Sequence, residues 1–242
     1  MSTLKHKGMA KTSAEPHGLR ATVAGRDLAY EGFQQQIFQA RLRPGQFVSQ
    51  RELTELLDLP LAAVRELIPR LEAARLIRTV PKRGLQIAHV DLKLVRNAFQ
   101  VRAMIEREAV LHMVRNVSDA ELERIENEHR AILARARKGT PDETLDKDAQ
   151  AVDWGLHDRM VDAIGNEILS ELYRVNSLHV RLIRLDAHAV RPMRIVPAME
   201  EHLEFIEAVK TRNENAAVEK MMQHIEQSKQ RVLQAMLEGS FD

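Results

Sequence analysis

The chain contains no cysteine, and that absence removes two kinds of chemistry at once. No disulfide can staple the fold, and no thiolate can ligate a metal, so any metal must be held by nitrogen and oxygen atoms. A cysteine-free composition is also compatible with the cytoplasm, the expected location. Aromatic residues are scarce, at 4%, within a hydrophobic fraction of 44%. Leu, Ile, Val, Ala and ten Met must therefore fill the interior, which favours helices. No run of about 18 apolar residues occurs, so no membrane span is expected. The first 25 residues hold Lys5, Lys7, Lys11 and Arg20 but no apolar core, and are not read as a signal peptide. There is no Gly-rich phosphate loop and no nucleophile elbow.

What is present is divided unevenly. Residues 1–90 carry 14 Lys/Arg against 8 Asp/Glu, and residues 91–242 carry 22 against 27. The net charge of +1 thus conceals a basic front and an acidic back, two domains with different partners, the first suited to a polyanion.

Residues 1–27 lack periodicity and read as a flexible basic arm, followed by a domain over 28–90. From Gly32 the pattern is helical, with Phe33, Ile37, Phe38 and Leu42 on one face, until Arg43-Pro44-Gly45 breaks it. Ser49 and Glu52 form a capping box for a second helix burying Leu53, Leu56 and Leu57. Asp58-Leu59-Pro60 turns into a third, whose inward residues are Val64, Leu67, Ile68 and Leu71. Pro69 sits inside that helix, where it removes a backbone donor at a cost of about 3 kcal/mol or a kink. After Leu76 the period changes to two, giving strands at 76–80 and 85–89 around the basic turn Pro81-Lys82-Arg83-Gly84. Three helices and a two-stranded hairpin make a winged helix-turn-helix, with the third helix suited to the major groove.

This segment resembles the DNA-binding domain of the GntR family of bacterial regulators. The resemblance rests on Arg43-Pro44-Gly45, the run Arg51 to Leu57, Val64-Arg65-Glu66, Leu71-Glu72-Ala73 and Arg83-Gly84. It implies operator contacts from Arg51, Arg65 and the wing glycine Gly84, with Lys82 and Arg83 adding charge beside it. One departure stands out: Pro60-Leu61-Ala62-Ala63 replaces the usual polar opening of the third helix. An arginine and a hydroxyl are lost there, and each lost bidentate contact forfeits about 1–3 kcal/mol of base discrimination. An operator unlike the family's commonest one, or more reliance on phosphates and DNA shape, is expected.

From residue 91 every segment reads as helix: 91–116, 119–138, 141–165, 166–188, 197–212 and 214–238. The fold class is therefore mainly α, a winged helix-turn-helix followed by an antiparallel bundle over 91–242. Within the third of these helices Asp153 and His157 lie one turn apart, in a stripe continued by Met160, Val161 and Ile164. A carboxylate and an imidazole in an apolar stripe need partners, and a cation supplies them. His202 shares a face with Ala198, Phe205, Ile206 and Val209, and His224 shares one with Ala217, Met221, Ile225 and Ser228. Both imidazoles point inward on sequence grounds.

This half resembles the FCD domain, the ligand-binding bundle of one GntR branch. In that branch an Asp-x3-His and single histidines on the last two helices bind a divalent metal, which here implies Asp153, His157, His202 and His224. Such a ligand set suits Zn²⁺, Ni²⁺, Mn²⁺ or Fe²⁺, zinc foremost, rather than Ca²⁺ or Mg²⁺. Room for an anionic guest points to a small carboxylate effector. Arg102 lies on an apolar face, where it either clamps that carboxylate or bridges to Glu106 one turn on. Asn176 is either a further pocket group or a satisfied core amide. The other histidines, His129 among them, form no constellation and read as surface or ordinary core residues.

The resemblance implies a regulator, most often a repressor, dimerising through the bundle on a palindromic double-stranded operator. A metal sensor would use the same ligands. A metalloenzyme is the rival class, but a di-iron site needs paired Glu-x-x-His motifs. Only Glu126-Asn127-Glu128-His129 fits, on a helix that reads as mainly polar, so no enzyme is expected.

Overall fold

The computed structural model describes residues 29–139, 142, 144–188 and 195–239. The basic arm over 1–27 and the Thr140-Pro141 and Arg191-Pro192 breakers lie outside the described residues.

The first helix, α1, occupies 29–38 and buries Phe33 and Ile37. Positive φ at Ala40 and Gly45 reverses the chain, and Leu42 still reaches the core. Strand β1 (Phe47–Val48) follows, then α2 (Gln50–Leu57), α3 (Leu61–Ala73), β2 (Ile77–Val80) and β3 (Gly84–Ile87). The capping box forms, with Glu52 N–H donating to Ser49 Oγ and Ser49 N–H to the Glu52 carboxylate. The wing has three strands in the order β1-β3-β2, all antiparallel, which corrects the two-stranded hairpin. Two residues are too short for a period to register in sequence, so β1 becomes visible only through its partners Leu85 and Gln86. Pro69 does not end α3. It is exposed, as is Arg65 one turn before, so the carbonyl it leaves unpaired lies on the water side.

Among the described residues, six helices build the second half: α4 (Leu92–Asn116), α5 (Asp119–Arg137), α6 (Leu145–Asp162), α7 (Glu167–His188), α8 (Ile195–Lys210) and α9 (Glu214–Gly239). Their starts follow local chemistry. Asp91 caps α4 by accepting from Leu94 N–H, Ser118 caps α5, and Asn166 and Asn213 accept at the starts of α7 and α9. Gly165, at φ +73°, turns the chain between α6 and α7.

Helix α7 belongs to two cores. Tyr173, Val180 and Ile183 pack with the bundle, while Leu178 and Leu182 pack with Phe33, Leu67 and Leu71 of the winged domain. His179 Nε2 donates to the Ala74 carbonyl at the C-terminal end of α3 (3.0 Å). The Arg181 guanidinium is stacked between Phe38 of α1 (4.0 Å) and Trp154 of α6 (4.1 Å). A cavity of about 200 Å³ beside this stack is lined by Gln34, Phe38, Asp158, Tyr173 and Arg181.

Candidate metal centre

Helices α6, α8 and α9 each turn polar groups into the bundle. Asp153 and His157 come from α6, His202 from α8 and His224 from α9, and all four are buried. Among the described residues, one ring nitrogen each of His157, His202 and His224 lie within 4.8 Å of one another. Asp153 Oδ1 stands 3.7 Å from His202 Nε2. The structure therefore brings together the four residues expected from sequence.

Which nitrogen faces inward is fixed by what holds the other one. His157 Nδ1 lies 2.8 Å from Glu106 Oε2, and His224 Nδ1 lies 2.7 Å from Glu201 Oε2. A carboxylate can only accept, so both Nδ1 atoms carry a proton, and in the neutral ring Nε2 is then the nitrogen with the lone pair. Carboxylates behind ligating imidazoles raise their basicity and hold their rings in place. Asp153 is held similarly, its Oδ2 accepting from Arg184 Nη1 at 2.6 Å.

Two features show that a cation fits this centre. Among the described residues, the buried Asp153 Oδ1 has no hydrogen-bond partner. His202 Nε2 and His224 Nε2 are only 3.3 Å apart. A proton could bridge them, but burial, with His224 and the other imidazoles nearby, holds the His202 pKa well below its usual value. Burial likewise pushes His157 down to about 4. For Asp153, burial alone would raise the pKa, but Arg184 and the imidazoles outweigh it and keep the carboxylate ionised. Three imidazoles and one carboxylate are donors for a divalent transition ion.

Arg102 is 1% exposed and forms the bridge to Glu106. Its Nε donates to Glu106 Oε1 and its Nη2 to His157 Nε2, each at 2.7 Å, while the buried Nη1 has no partner among the described residues. Burial alone would raise the Glu106 pKa, but Arg102 and His157 overcome it and keep the carboxylate charged, and Tyr173 Oη donates to it at 2.7 Å. Asn176 takes the core-amide reading: its Nδ2 donates to the Ala98 carbonyl (3.0 Å), tying α7 to α4.

Sequence reasoning passed over three groups. His129 is fully buried on α5 and lies against His202, not among ordinary core residues. Its signal was the inward series Leu122, Ile125, His129, Ile132, hidden by the charged residues around it. Glu201 and Arg184, which hold His224 and Asp153, carried no signal beyond helical spacing. The Glu-x-x-His pattern does not assemble as a ligand pair, because Glu126 is engaged by Lys210 and Arg130.

In the winged domain, Arg51 and Arg65 are exposed on α2 and α3, and Gln50 accepts from Arg65 Nε (3.4 Å). Lys82 and Arg83 occupy the turn of the wing, Arg83 stacking on Phe47 at 3.8 Å. Gly84 adopts φ +92°, and a Cβ there would meet the Val48 carbonyl at 3.0 Å. It is thus required for β1 to close on β3.

Comparison with known proteins agrees with this architecture. The FCD domain family matches residues 97–227. The HTH-type transcriptional regulator YdhC of Bacillus subtilis (strain 168) is 23% identical over 211 residues, 87% of this chain and 92% of that protein. The solved structure of E. coli McbR/YncC superposes with a TM-score of 0.70 at 17% identity, covering 88% of this chain and 97% of that one. A GntR transcriptional regulator from Rhodococcus sp. RHA1 gives 0.68 at 17% identity, covering 89% and 99%. No helix among the described residues is long and apolar enough to cross a membrane. With the family match spanning more than half of the sequence, the chain belongs to the FCD-domain branch of the GntR family of transcriptional regulators.

Proposed function

We propose that this regulator is a cytoplasmic repressor whose operator affinity is set by a small carboxylate effector held at a divalent metal in the bundle. The observation that carries the proposal is the convergence of one ring nitrogen from each of three imidazoles with Asp153 Oδ1 and Arg102 Nη1, two buried atoms without a hydrogen-bond partner among the described residues. Asp153, His157, His202 and His224 would hold the metal, zinc suiting the ligand set best and Ni²⁺, Mn²⁺ or Fe²⁺ following. When bound, the metal supplies a Lewis-acid centre that a carboxylate oxygen can join. Arg102 supplies the complementary charge. The His157 Nε2 lone pair cannot serve an N–H and a metal together, so ligation frees Nη2 alongside Nη1 to donate to an anion.

The effect on DNA would travel through α7. Asp153 is paired with Arg184, and its neighbour Trp154 stacks on Arg181, which also covers Phe38 of the winged domain. Any shift of α6 against α7 is thus felt at α1, and at the end of α3 through His179. Arg51, Arg65, Lys82, Arg83 and the Gly84 wing would meet a palindromic operator, presented twice by a homodimer. Exposed Val101 and Met104 on α4 and Ile168 and Leu172 on α7 offer apolar surface for that dimer.

The test is operator binding by the zinc-loaded protein with and without a panel of small mono-, di- and tricarboxylates. At least one should weaken binding several-fold, and by linkage should itself bind more weakly to the DNA complex. If none changes operator affinity, effector control is wrong. A second reading, in which the cation itself is the effector, is favoured by the His202–His224 apposition, which a cation alone relieves. It requires chelation to change DNA affinity at constant carboxylate concentration.

A further inference from the structure

His157 and His224 each rest on a carboxylate, but His202 does not. Its Nδ1 lies 3.2 Å from Nε2 of His129, a fully buried imidazole from α5. The other nitrogen of His129, Nδ1, lies 2.7 Å from the backbone carbonyl of Ile125. That carbonyl can only accept, so His129 Nδ1 carries the proton and His129 Nε2 is left as an acceptor. His202 Nδ1–H must then donate to it, which leaves the His202 Nε2 lone pair facing His224 and Asp153. The tautomer of His202 is fixed through two imidazoles by one helical carbonyl.

We propose that His129 is a positioning residue of the metal centre: it accepts from His202 Nδ1–H and so holds His202 in the tautomer and ring orientation that give Nε2 to the metal. It does not itself ligate, since both its nitrogens are committed. The arrangement also makes His202 unlike its two companions. A neutral acceptor stands behind it where carboxylates stand behind the others, so its hold on the metal depends on geometry more than on enhanced basicity.

The metal-affinity part of this inference rests on the reading above, whereas the tautomer part does not. Two substitutions separate positioning from packing. His129→Leu keeps apolar bulk and removes the acceptor; His129→Gln restores an acceptor oxygen. Zinc affinity, measured by competition with a chromophoric chelator, should fall about ten- to hundredfold in His129→Leu. It should return to within a few-fold of wild type in His129→Gln. Nitrogen-15 NMR of the chelator-treated protein should show His202 protonated at Nδ1 in wild type and His129→Gln, and a mixture of tautomers in His129→Leu. Unchanged zinc affinity in His129→Leu would overturn the proposal, as would equal losses in both variants. If His129→Leu does not fold, the wild-type spectrum still decides, because a His202 protonated at Nε2 is incompatible with the role assigned to His129. Should the wild-type protein take up no zinc, the metal reading fails, and the NMR result alone judges the hydrogen-bond relay.

Discussion

Replacing Arg102 by methionine separates the two tasks assigned to this side chain. Methionine approximates its length and apolar stem but removes the guanidinium. Arg102 and Glu106 are 1% and 0% exposed and 2.7 Å apart, so neither can turn to water when its partner is lost. The carboxylate would keep Tyr173 Oη and His157 Nδ1 as donors but would lose the guanidinium paired with it. Removing one member of a buried ion pair costs about 3–5 kcal/mol, chiefly through the charge left behind. Across a helical chain of this size, that corresponds to a fall in Tm of roughly 10 °C. Urea unfolding of wild type, Arg102→Met, Glu106→Gln and the double variant forms a cycle. The double variant should be more stable than Arg102→Met, because the glutamine carries no orphaned charge. A loss below about 1 kcal/mol in Arg102→Met, or fully additive effects, would refute the pairing as described. Independently, if Arg102 holds the effector, zinc-loaded Arg102→Met should bind operator and ignore carboxylates.

Other consequences are equally direct. Arg65→Ala should weaken specific operator binding by about 1–3 kcal/mol if it reads a base edge, whereas Lys82→Ala should lower affinity evenly across sequences and reduce the salt slope by about one; anisotropy titrations at several salt concentrations distinguish them. Gly84→Ala should destabilise the winged domain by about 1–3 kcal/mol and impair DNA binding without changing metal uptake, because φ +92° and the 3.0 Å approach to the Val48 carbonyl both penalise a Cβ. The metal-stripped protein should lose stability on acidification. Burial lowers the pKa of His129, His157 and His202, with His157 at about 4, so below about pH 6.5 the unfolded chain binds protons that the folded chain refuses. Their contribution is complete above that pH and declines towards pH 4, by up to about 1.4 kcal/mol per pH unit for each imidazole. Urea midpoints that stay flat or rise between pH 6.5 and 5 would contradict this burial.

Much of the fold was legible because its signals are local. The capping box at Ser49, the helical apolar series and the basic wing turn each act within a few residues, and each forms as read. Asp153, His157, His202 and His224 stood out as ionisable groups in apolar stripes, and the resemblance to the FCD domain joined them into one ligand set. What surrounds them was not legible. Glu106 and Glu201 look like ordinary helical glutamates, and only the approach of α6 and α9 turns them into acceptors for imidazole N–H groups. His129 was misread because it interrupts a charged helix, and its meaning depends on α8 arriving with His202. Strand β1 is similar, since two residues acquire strand character only from β3. Sequence periodicity places a side chain on a face; packing decides what stands opposite.

Effector control as proposed depends on the metal. Chelator-treated wild-type protein, reloaded with zinc, desalted and assayed by inductively coupled plasma mass spectrometry, should hold about one equivalent per chain. A folded His202→Ala/His224→Ala variant, with helicity verified by circular dichroism, should hold essentially none. Negligible zinc in the wild type, or undiminished zinc in the variant, would contradict the assignment of Asp153, His157, His202 and His224 as a metal centre.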